Sequence, residues 1–240
     1  MWRLGLGRND QCRGSGNTRP SAFHRGKGER VNLFVGIPYY SDDLKRWFFK
    51  SWRQTRWPSK TRFDGEIVGQ DIGRARNVLA ELAVKHACEY LLFIDSDMEW
   101  GPDYVQRLLA HNVDIVGGWA QARYANSAGQ HIPCVGIDWN DETRLFQPTT
   151  PPEDKDNRGL ADVDVIGMAF TLIRTKLFKE MPLPWFKKEY KDGTTDIMGE
   201  DVYFCREAKR AGFRVCVDWS LPLGHEIAGV VSHDLQIKHV

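Results

Sequence analysis

The segment Tyr90-Leu-Leu-Phe-Ile-Asp-Ser-Asp-Met98 decides the interpretation of the chain. Four consecutive apolar residues predict a buried strand, and two carboxylates follow at its carboxyl end. In open α/β sheets, ligands bind at this edge. Asp95 and Asp97 repel each other unless a cation lies beside them, and carboxylate oxygens suit Mg²⁺ or Mn²⁺ completed by substrate phosphates. The alternative is a polar turn in which one of the two aspartates caps the next helix.

Length and composition are those of one globular domain. The chain has 240 residues, of which 42% are hydrophobic and 12% aromatic, so it can bury a substantial core. Its 33 basic and 32 acidic residues leave a net charge of +1. That balance gives no electrostatic basis for a nucleic-acid partner, which normally needs a basic face.

Neither a membrane segment nor a disulfide framework is indicated. No apolar run approaches the roughly 20 residues that cross a bilayer, and the basic N-terminus lacks the apolar core of a signal peptide. The five cysteines are scattered and form no CxxC pair, so neither a zinc knuckle nor a set of disulfides is expected. We therefore expect a cytoplasmic protein without an integral membrane segment, either free or peripheral to a membrane.

The chain divides at residue 30. Residues 1–30 contain six glycines and seven Lys or Arg residues without apolar periodicity, which predicts a flexible basic extension. Residues 31–240 form the predicted domain, whose alternating strands and helices indicate an α/β sandwich with a mainly parallel sheet. The strands are predicted at 31–37, 90–94, 114–119, 133–139, 144–147, 161–173 and 214–218, the last being the final strand. The helices are predicted at 73–88, 102–110, 176–180 and 200–211, and a mobile polar loop at 149–158.

Two later motifs carry further polar residues. In Gly199-Glu-Asp201, two acids open a helix that Gly212 ends. A carboxylate there can act as a general base whose neighbour tunes its pKa, or it can merely complement the helix dipole. His225 follows the final predicted strand; neutral imidazole is a good ligand for Mn²⁺, but a single histidine is more often structural or exposed.

The order of these motifs resembles that of nucleotide-sugar-dependent glycosyltransferases of the GT-A fold, most closely the inverting, family-two type. The resemblance covers residues 31–226. Val35-Gly-Ile-Pro-Tyr39 resembles the first strand and nucleotide-contacting loop, and Gly73-Arg-Ala-Arg-Asn77 resembles the ARN helix start. Gly167-Met-Ala-Phe170, followed by Pro184-Trp-Phe186, resembles the segment that borders donor sugar and acceptor. The implied fold is a Rossmann-like three-layer α/β sandwich with a mixed, mainly parallel central sheet.

The resemblance also implies a metal site and a catalytic base. Asp97 would bind Mn²⁺ or Mg²⁺ directly, and His225 would complete the metal site. Asp95 would take part in that site, or contact the ribose or a metal-bound water. Asp201 would be the catalytic base, with Glu200 positioning the helix or the acceptor.

A nucleoside-diphosphate sugar is the implied donor, with a UDP-sugar favoured over a GDP-sugar. The implied acceptor is a glycan, a lipid or a protein. The donor would be bound by residues from four segments: Pro38, Tyr39, Asp71, Arg76, Asp95, Ser96 and Gly167. Asp71 is the candidate for reading the nucleotide base, but residues 63–70 do not make a clean strand, so the base stays open.

Three other functions fit parts of the pattern. A haloacid-dehalogenase-like phosphatase also has two aspartates after a strand, but it normally has Thr or Val where this chain has Glu99, and it leaves His225 unexplained. A sugar nucleotidyltransferase would need a Gly-rich basic loop in place of residues 37–41. A catalytically inactive carbohydrate-binding or scaffold domain could use the nine tryptophans for stacking. The acids at all three motifs favour an enzyme that transfers a sugar to an acceptor hydroxyl with inversion.

Overall fold

The computed structural model describes residues 31–39, 45–69, 71–122, 129, 131–190, 197–226, 230–231 and 237–238. The predicted basic extension, residues 1–30, lies outside the described residues. Five α-helices are present in the described part: α1 (Arg46–Gln54), α2 (Ile72–Lys85), α3 (Tyr104–His111), α4 (Leu177–Glu180) and α5 (Glu200–Arg210). A short 3-10 helix spans Lys155–Asn157 within the predicted polar loop.

The strands vary in length from two to eight residues. They are β1 (Asn32–Tyr39), β2 (Lys60–Ile67), β3 (Tyr90–Ile94), β4 (Met98–Glu99), β5 (Ile115–Trp119), β6 (Val135–Asn140), β7 (Leu145–Pro148), β8 (Leu160–Asp162), β9 (Val165–Ile166), β10 (Phe170–Arg174), β11 (Glu189–Tyr190), β12 (Ile197–Met198), β13 (Val215–Pro222), β14 (Gly224–Glu226), β15 (Val230–Val231) and β16 (Ile237–Lys238).

A seven-stranded sheet forms the centre of the domain, in the order β2-β1-β3-β10-β5-β13-β8. The strands β2, β1, β3, β5 and β13 run in one direction, whereas β10 and β8 run in the other. The sheet is therefore mixed but mainly parallel, as the sequence predicts. Because β10 is antiparallel to both of its neighbours, the start of β10 lies at the same edge as the ends of β3 and β5.

Alternate residues of the strands enter two separate cores, one on each face of the sheet. On one face, Phe34, Leu91 and Phe93 belong to the cluster that includes residues of α2, α4 and α5. On the other face, Leu33 and Leu92 belong to the cluster that includes residues of α1 and α3. Helices therefore cover both faces, which confirms the predicted three-layer sandwich.

Two helices begin at the edge where β3 and β5 end, and residues typical of helix ends flank each of them. The Asp71 carboxylate caps α2 by accepting the backbone N–H of Gly73 at 2.9 Å. At the other end of the chain, α5 is followed by Gly212, whose φ of 87° is readily adopted by glycine. Arg76 lies in the second turn of α2, and Asp201 lies in the first turn of α5.

Smaller sheets flank the central one. β4 pairs with β14 in a four-stranded sheet of order β16-β15-β14-β4, and β6, β7 and β9 form a three-stranded sheet. The β4–β14 pairing places His225 opposite Met98. It thereby brings the segment that follows the Asp95-Ser-Asp97 motif next to the segment that contains His225.

Three sequence predictions about the fold are wrong. Residues 60–67 form a regular strand, β2, paired in parallel with β1 along its full length, although the sequence shows no clean strand there. The segment 161–173 is three strands in two sheets rather than one strand. The strand at 214–218 is not the last, because β14, β15 and β16 follow it.

No helix in the described ranges is both long and apolar enough to cross a membrane.

Candidate active site

The candidate site lies at the edge where β3 and β5 end and β10 begins. Asp95 directly follows β3, and its backbone N–H donates to the carbonyl of Ala169, the residue before β10, at 2.9 Å. Gly167 is two residues earlier on the same segment. The chain therefore brings the Asp95-Ser-Asp97 motif and the predicted Gly167 segment together. Neither aspartate caps the following helix, because α3 begins after Asp103.

A buried arginine connects the aspartate motif to α5. Arg76 is only 3% exposed, and its Nη2 donates to both carboxylate oxygens of Asp95, at 3.1 and 3.3 Å. Its Nη1 donates to Oε1 of Glu200, which is 124 residues away in sequence. Within the described residues, the Nε of Arg76 is buried without a hydrogen-bond partner. One guanidinium thus holds the end of β3 against the start of α5.

Burial dominates the protonation of this cluster. It raises the pKa of Asp95, although the charge of Arg76 opposes the shift. It also raises the pKa of Glu200 against the attraction of the same guanidinium, and the neighbouring Asp201 adds to the shift. Burial alone would lower the pKa of Arg76, but Asp95, Glu200 and Asp201 together raise it. The arginine therefore stays charged while its two carboxylates are poorly solvated.

The raised pKa of Glu200 predicts a pH dependence of stability. Folding favours its protonated form, so its contribution to stability is full below its unfolded pKa of about 4.3 and is lost as pH rises through the folded value. As pH falls from 7 towards 4, we expect the melting temperature of the wild type to rise relative to that of a Glu200→Gln variant. Thermal unfolding at several pH values measures this, with Glu81→Gln on the exposed side of α2 as the control. A wild-type advantage that shrinks as pH falls would contradict it.

His225 faces Asp97 across a short gap. The Nδ1 of His225 lies 2.9 Å from the carbonyl oxygen of Gln121. A carbonyl can only accept, so Nδ1 carries a proton. The other ring nitrogen, Nε2, lies 3.4 Å from Oδ2 of Asp97. Two electron donors at this distance call for a proton or a cation between them.

This donor set fits a divalent cation. Imidazole nitrogen and carboxylate oxygen are both ligands of Mn²⁺, and a ligating histidine commonly donates its other N–H to a backbone carbonyl, as His225 does. Across the described ranges, no group of three or more His, Cys, Asp and Glu side chains is arranged to hold a metal ion. Asp95, the third predicted ligand, directs both carboxylate oxygens to Arg76. The protein side of such a site is therefore the Asp97–His225 pair.

Asp201 borders the Gly167 segment. Its Oδ1 accepts the backbone N–H of Val202 at 2.8 Å. A Cβ placed on Gly199 would lie 2.7 Å from the same oxygen, so a larger residue there would require this carboxylate to move. A Cβ placed on Gly167 would lie 4.0 Å from Oδ2. One oxygen is thus fixed by the backbone, and the other lies on the side of the Gly167 segment.

Cys134 lies close to this carboxylate but is not a nucleophile. Burial raises its pKa to about 12, and the charges of Asp201 and Asp95 add to the shift. The thiol therefore stays neutral at physiological pH, and the thiolate is the reactive form of cysteine. Asp201 is left as the candidate base on this side of the site.

Comparison with known proteins identifies the fold. No protein-family model matches the chain, and no curated protein matches its sequence. The crystal structure of A197 from STIV superposes with a TM-score of 0.60 at 17% identity, over 88% of this chain and 95% of that one. GalNAc-T7, crystallised with UDP, GalNAc and Mn²⁺, superposes with a TM-score of 0.53 at 12% identity, over 81% of this chain.

This is the GT-A fold. At these identities the similarity establishes the fold alone, and this chain matches only 43% of the GalNAc-T7 chain. The predicted fold class is thereby confirmed. The family-two type, the metal and the stereochemistry stay predictions.

Other predicted donor-binding positions lie along the same side of the GT-A sheet. Pro38 and Tyr39 end β1, next to the end of β2. Tyr39 packs on Gly65, where an added Cβ would lie 2.8 Å from its ring. Ser96 is half-buried in the turn between β3 and β4. Asp71 serves as the cap of α2, so the structure gives it a structural role in addition to the predicted contact with the base.

The sequence missed two residues that organise the site. Asn77 donates to the carbonyl of Phe186 at 2.7 Å and accepts the N–H groups of Trp185 and Phe186 at 3.0 and 3.1 Å. It therefore fixes the segment that was predicted to border donor and acceptor. Gln121 orients His225 through its carbonyl. This carbonyl lies two residues after β5, and because it is a backbone group the identity of the residue gives no signal for it.

Proposed function

We propose that this chain transfers a sugar from a nucleoside-diphosphate sugar to an acceptor hydroxyl, with a divalent cation and with inversion at the anomeric carbon. The observation that carries the proposal is the Asp97–His225 pair, 3.4 Å apart, at the ligand-binding edge of a GT-A sheet. The carboxylate of Asp201 lies across the Arg76 cluster from that pair. It is the proposed acceptor of the proton from the acceptor hydroxyl. The proposed donor is a UDP-sugar rather than a GDP-sugar.

Asp97 and His225 are the residues proposed to hold Mn²⁺ or Mg²⁺. When bound, the cation supplies neutralisation of the charge that develops on the leaving diphosphate. Arg76 holds the Asp95 carboxylate in place beside Asp97. Since Arg76 is buried and shared by two carboxylates, we propose that it positions them, while Pro38, Tyr39, Ser96 and Gly167 contact the donor.

Asp201 is the proposed general base. Its carboxylate accepts the proton of the acceptor hydroxyl as that oxygen attacks the anomeric carbon from the face opposite the diphosphate. The new C–O bond forms while the bond to the diphosphate breaks, and the leaving group departs with the bonding electrons. Glu200, engaged with Arg76, holds the start of α5 and so orients its neighbour. The acceptor is a glycan, a lipid or a protein.

Metal dependence is tested by release of UDP from UDP-sugars with Mn²⁺ present. We expect His225→Ala to raise the Mn²⁺ concentration needed for half-maximal release by at least about 10-fold, because removing even an outer-shell partner of a metal has effects of this size. Asp97→Ala should abolish the metal response. His111→Ala is the matched control, since it breaks the contact of 2.7 Å between His111 and Asp218 on the α3 face.

Two outcomes would contradict the assignment. An Asp97→Ala variant that keeps full activity with EDTA present would rule out the metal site. Binding of UDP-sugars to the wild type without any release of UDP, over a panel of acceptors, would favour the carbohydrate-binding alternative over an enzyme.

A further inference from the structure

One stretch of the surface differs strongly from the rest of the chain. Residues 45–63, which comprise α1 and the start of β2, contain seven Lys or Arg residues and no Asp or Glu. All seven basic side chains are exposed. The whole chain has a net charge of only +1. We call residues 45–63 the basic–aromatic surface.

Large apolar side chains are exposed among these charges. Phe49 is 51% exposed and Phe63 is 45% exposed. Burying a phenylalanine is favourable, and large rings are normally withdrawn from water. Phe63 packs on the rings of Trp52 and Trp57, with centroids 4.7 and 5.0 Å apart, and is the partly exposed member of that aromatic cluster. Exposed rings on a positively charged surface indicate a partner that is both anionic and able to accept apolar groups.

Cations lie over two of the aromatic rings, those of Trp47 and Phe49. Arg46 and Lys50 lie over the ring of Trp47, at 5.5 and 5.0 Å from its centroid. Arg53 lies over the ring of Phe49 at 5.8 Å. Binding of single-stranded nucleic acid uses open ring faces, on which the bases stack. Covered faces with exposed edges suit the interfacial layer of a bilayer, where aromatic groups sit between headgroups and acyl chains.

We propose that the basic–aromatic surface docks the protein onto anionic lipid bilayers. The seven cations, of which Lys50 also pairs with Glu99 at 3.6 Å, are complementary to the negative surface potential of such a membrane. Phe49 and Phe63 would enter the boundary between headgroups and acyl chains. This inference is independent of the proposed transferase activity, because no residue of the basic–aromatic surface belongs to the candidate active site.

The docking surface is fixed to the candidate active site. The backbone N–H of Trp100 donates to Oγ of Ser51 at 3.0 Å, and its indole N–H donates to Oγ1 of Thr55 at 2.7 Å. Trp100 is only three residues beyond Asp97. Docking through α1 therefore holds the Asp95-Ser-Asp97 motif at a fixed position relative to the bilayer.

Co-sedimentation of the full chain with lipid vesicles tests the proposal. We expect binding to vesicles of phosphatidylcholine with about 30% phosphatidylglycerol, and much weaker binding to phosphatidylcholine alone. Neutralising three charges, in Arg46→Gln/Lys50→Gln/Arg53→Gln, should weaken the partition coefficient by about 100-fold. Phe49→Ser should weaken it further. The charge control is Lys85→Gln/Lys179→Gln/Lys188→Gln, which neutralises three exposed lysines elsewhere and should leave binding nearly unchanged.

Melting temperatures of the variants show whether they are folded, and residues 1–30 are the same in all of them. The proposal is overturned if the two triple variants bind anionic vesicles equally well. It is also overturned if the wild type binds a single-stranded oligonucleotide more tightly than these vesicles and loses that binding in the Arg46→Gln/Lys50→Gln/Arg53→Gln variant.

Discussion

An Asp201→Asn variant is expected to lose about 10²–10⁴-fold in kcat for sugar transfer. The amide has the same shape as the carboxylate, and its oxygen can still accept the N–H of Val202, which lies 2.8 Å from Oδ1. What it cannot do is take a proton from the acceptor hydroxyl. We therefore expect kcat to fall while the KM for the donor and the melting temperature change little.

The matched control for this variant is Asp162→Asn. Asp162 lies on β8, where it is exposed and paired with Arg214. The Asp162→Asn substitution should leave kcat unchanged. Full activity of Asp201→Asn would remove Asp201 from the mechanism. An independent check is NMR of the first-formed product, which should show an inverted anomeric configuration; net retention is incompatible with Asp201 acting as the proposed base.

Replacing Arg76 by methionine is expected to have the largest effect on stability, a loss of about 3–5 kcal/mol in the free energy of unfolding. Methionine fills much of the same space, so the effect comes from charge. Without the guanidinium, Asp95 and Glu200 remain poorly solvated and have lost their shared cation. Urea unfolding monitored by tryptophan fluorescence measures the change.

A double variant separates charge from packing. Adding Glu200→Gln to Arg76→Met removes one of the two unpaired carboxylates, so it should recover part of the lost stability. The controls are Arg74→Met, an exposed neighbour on α2 that pairs with Glu66 at 2.8 Å, and Glu200→Gln alone. If Arg76→Met were no more destabilising than Arg74→Met, the buried cluster would not hold β3 and α5 together.

Elements with a clear apolar period could be predicted from the sequence, and those exposed at the edge could not. β3 is buried at every position, and α2 buries Ala75, Leu79 and Ala83 on one face. β2 is an edge strand with mostly exposed side chains, so no apolar run marks it. The sequence of α1 is dominated by charged and aromatic residues, and only Phe48 and Ser51 are buried.

A continuous apolar run in the sequence does not determine with which strands it pairs. Residues 161–173 are predicted as one strand, yet β8 pairs with β13, β9 pairs with β6, and β10 pairs with β3. The changes of partner depend on contacts between distant segments. The same limit applies to β14, whose pairing with β4 depends on the turn after β3.

Some features of the candidate site could likewise be predicted from the sequence, and others could not. The position of Asp95 and Asp97 could be predicted, because they follow a buried strand and ligands bind at the carboxyl ends of the parallel strands. The role of Arg76 could not, because its partner Glu200 is 124 residues away. A local pattern also could not show that Gln121 fixes the proton of His225 on Nδ1.

Calorimetric titration of the wild type with UDP, in Mn²⁺ and then in EDTA, tests most directly whether the chain binds a nucleoside diphosphate through a divalent cation. We expect UDP to bind in Mn²⁺, to bind far more weakly in EDTA, and to raise the melting temperature only in Mn²⁺, because a ligand that binds the folded state stabilises it. Failure of UDP, GDP and their sugar derivatives to bind the folded wild type in Mn²⁺ would contradict the proposed function.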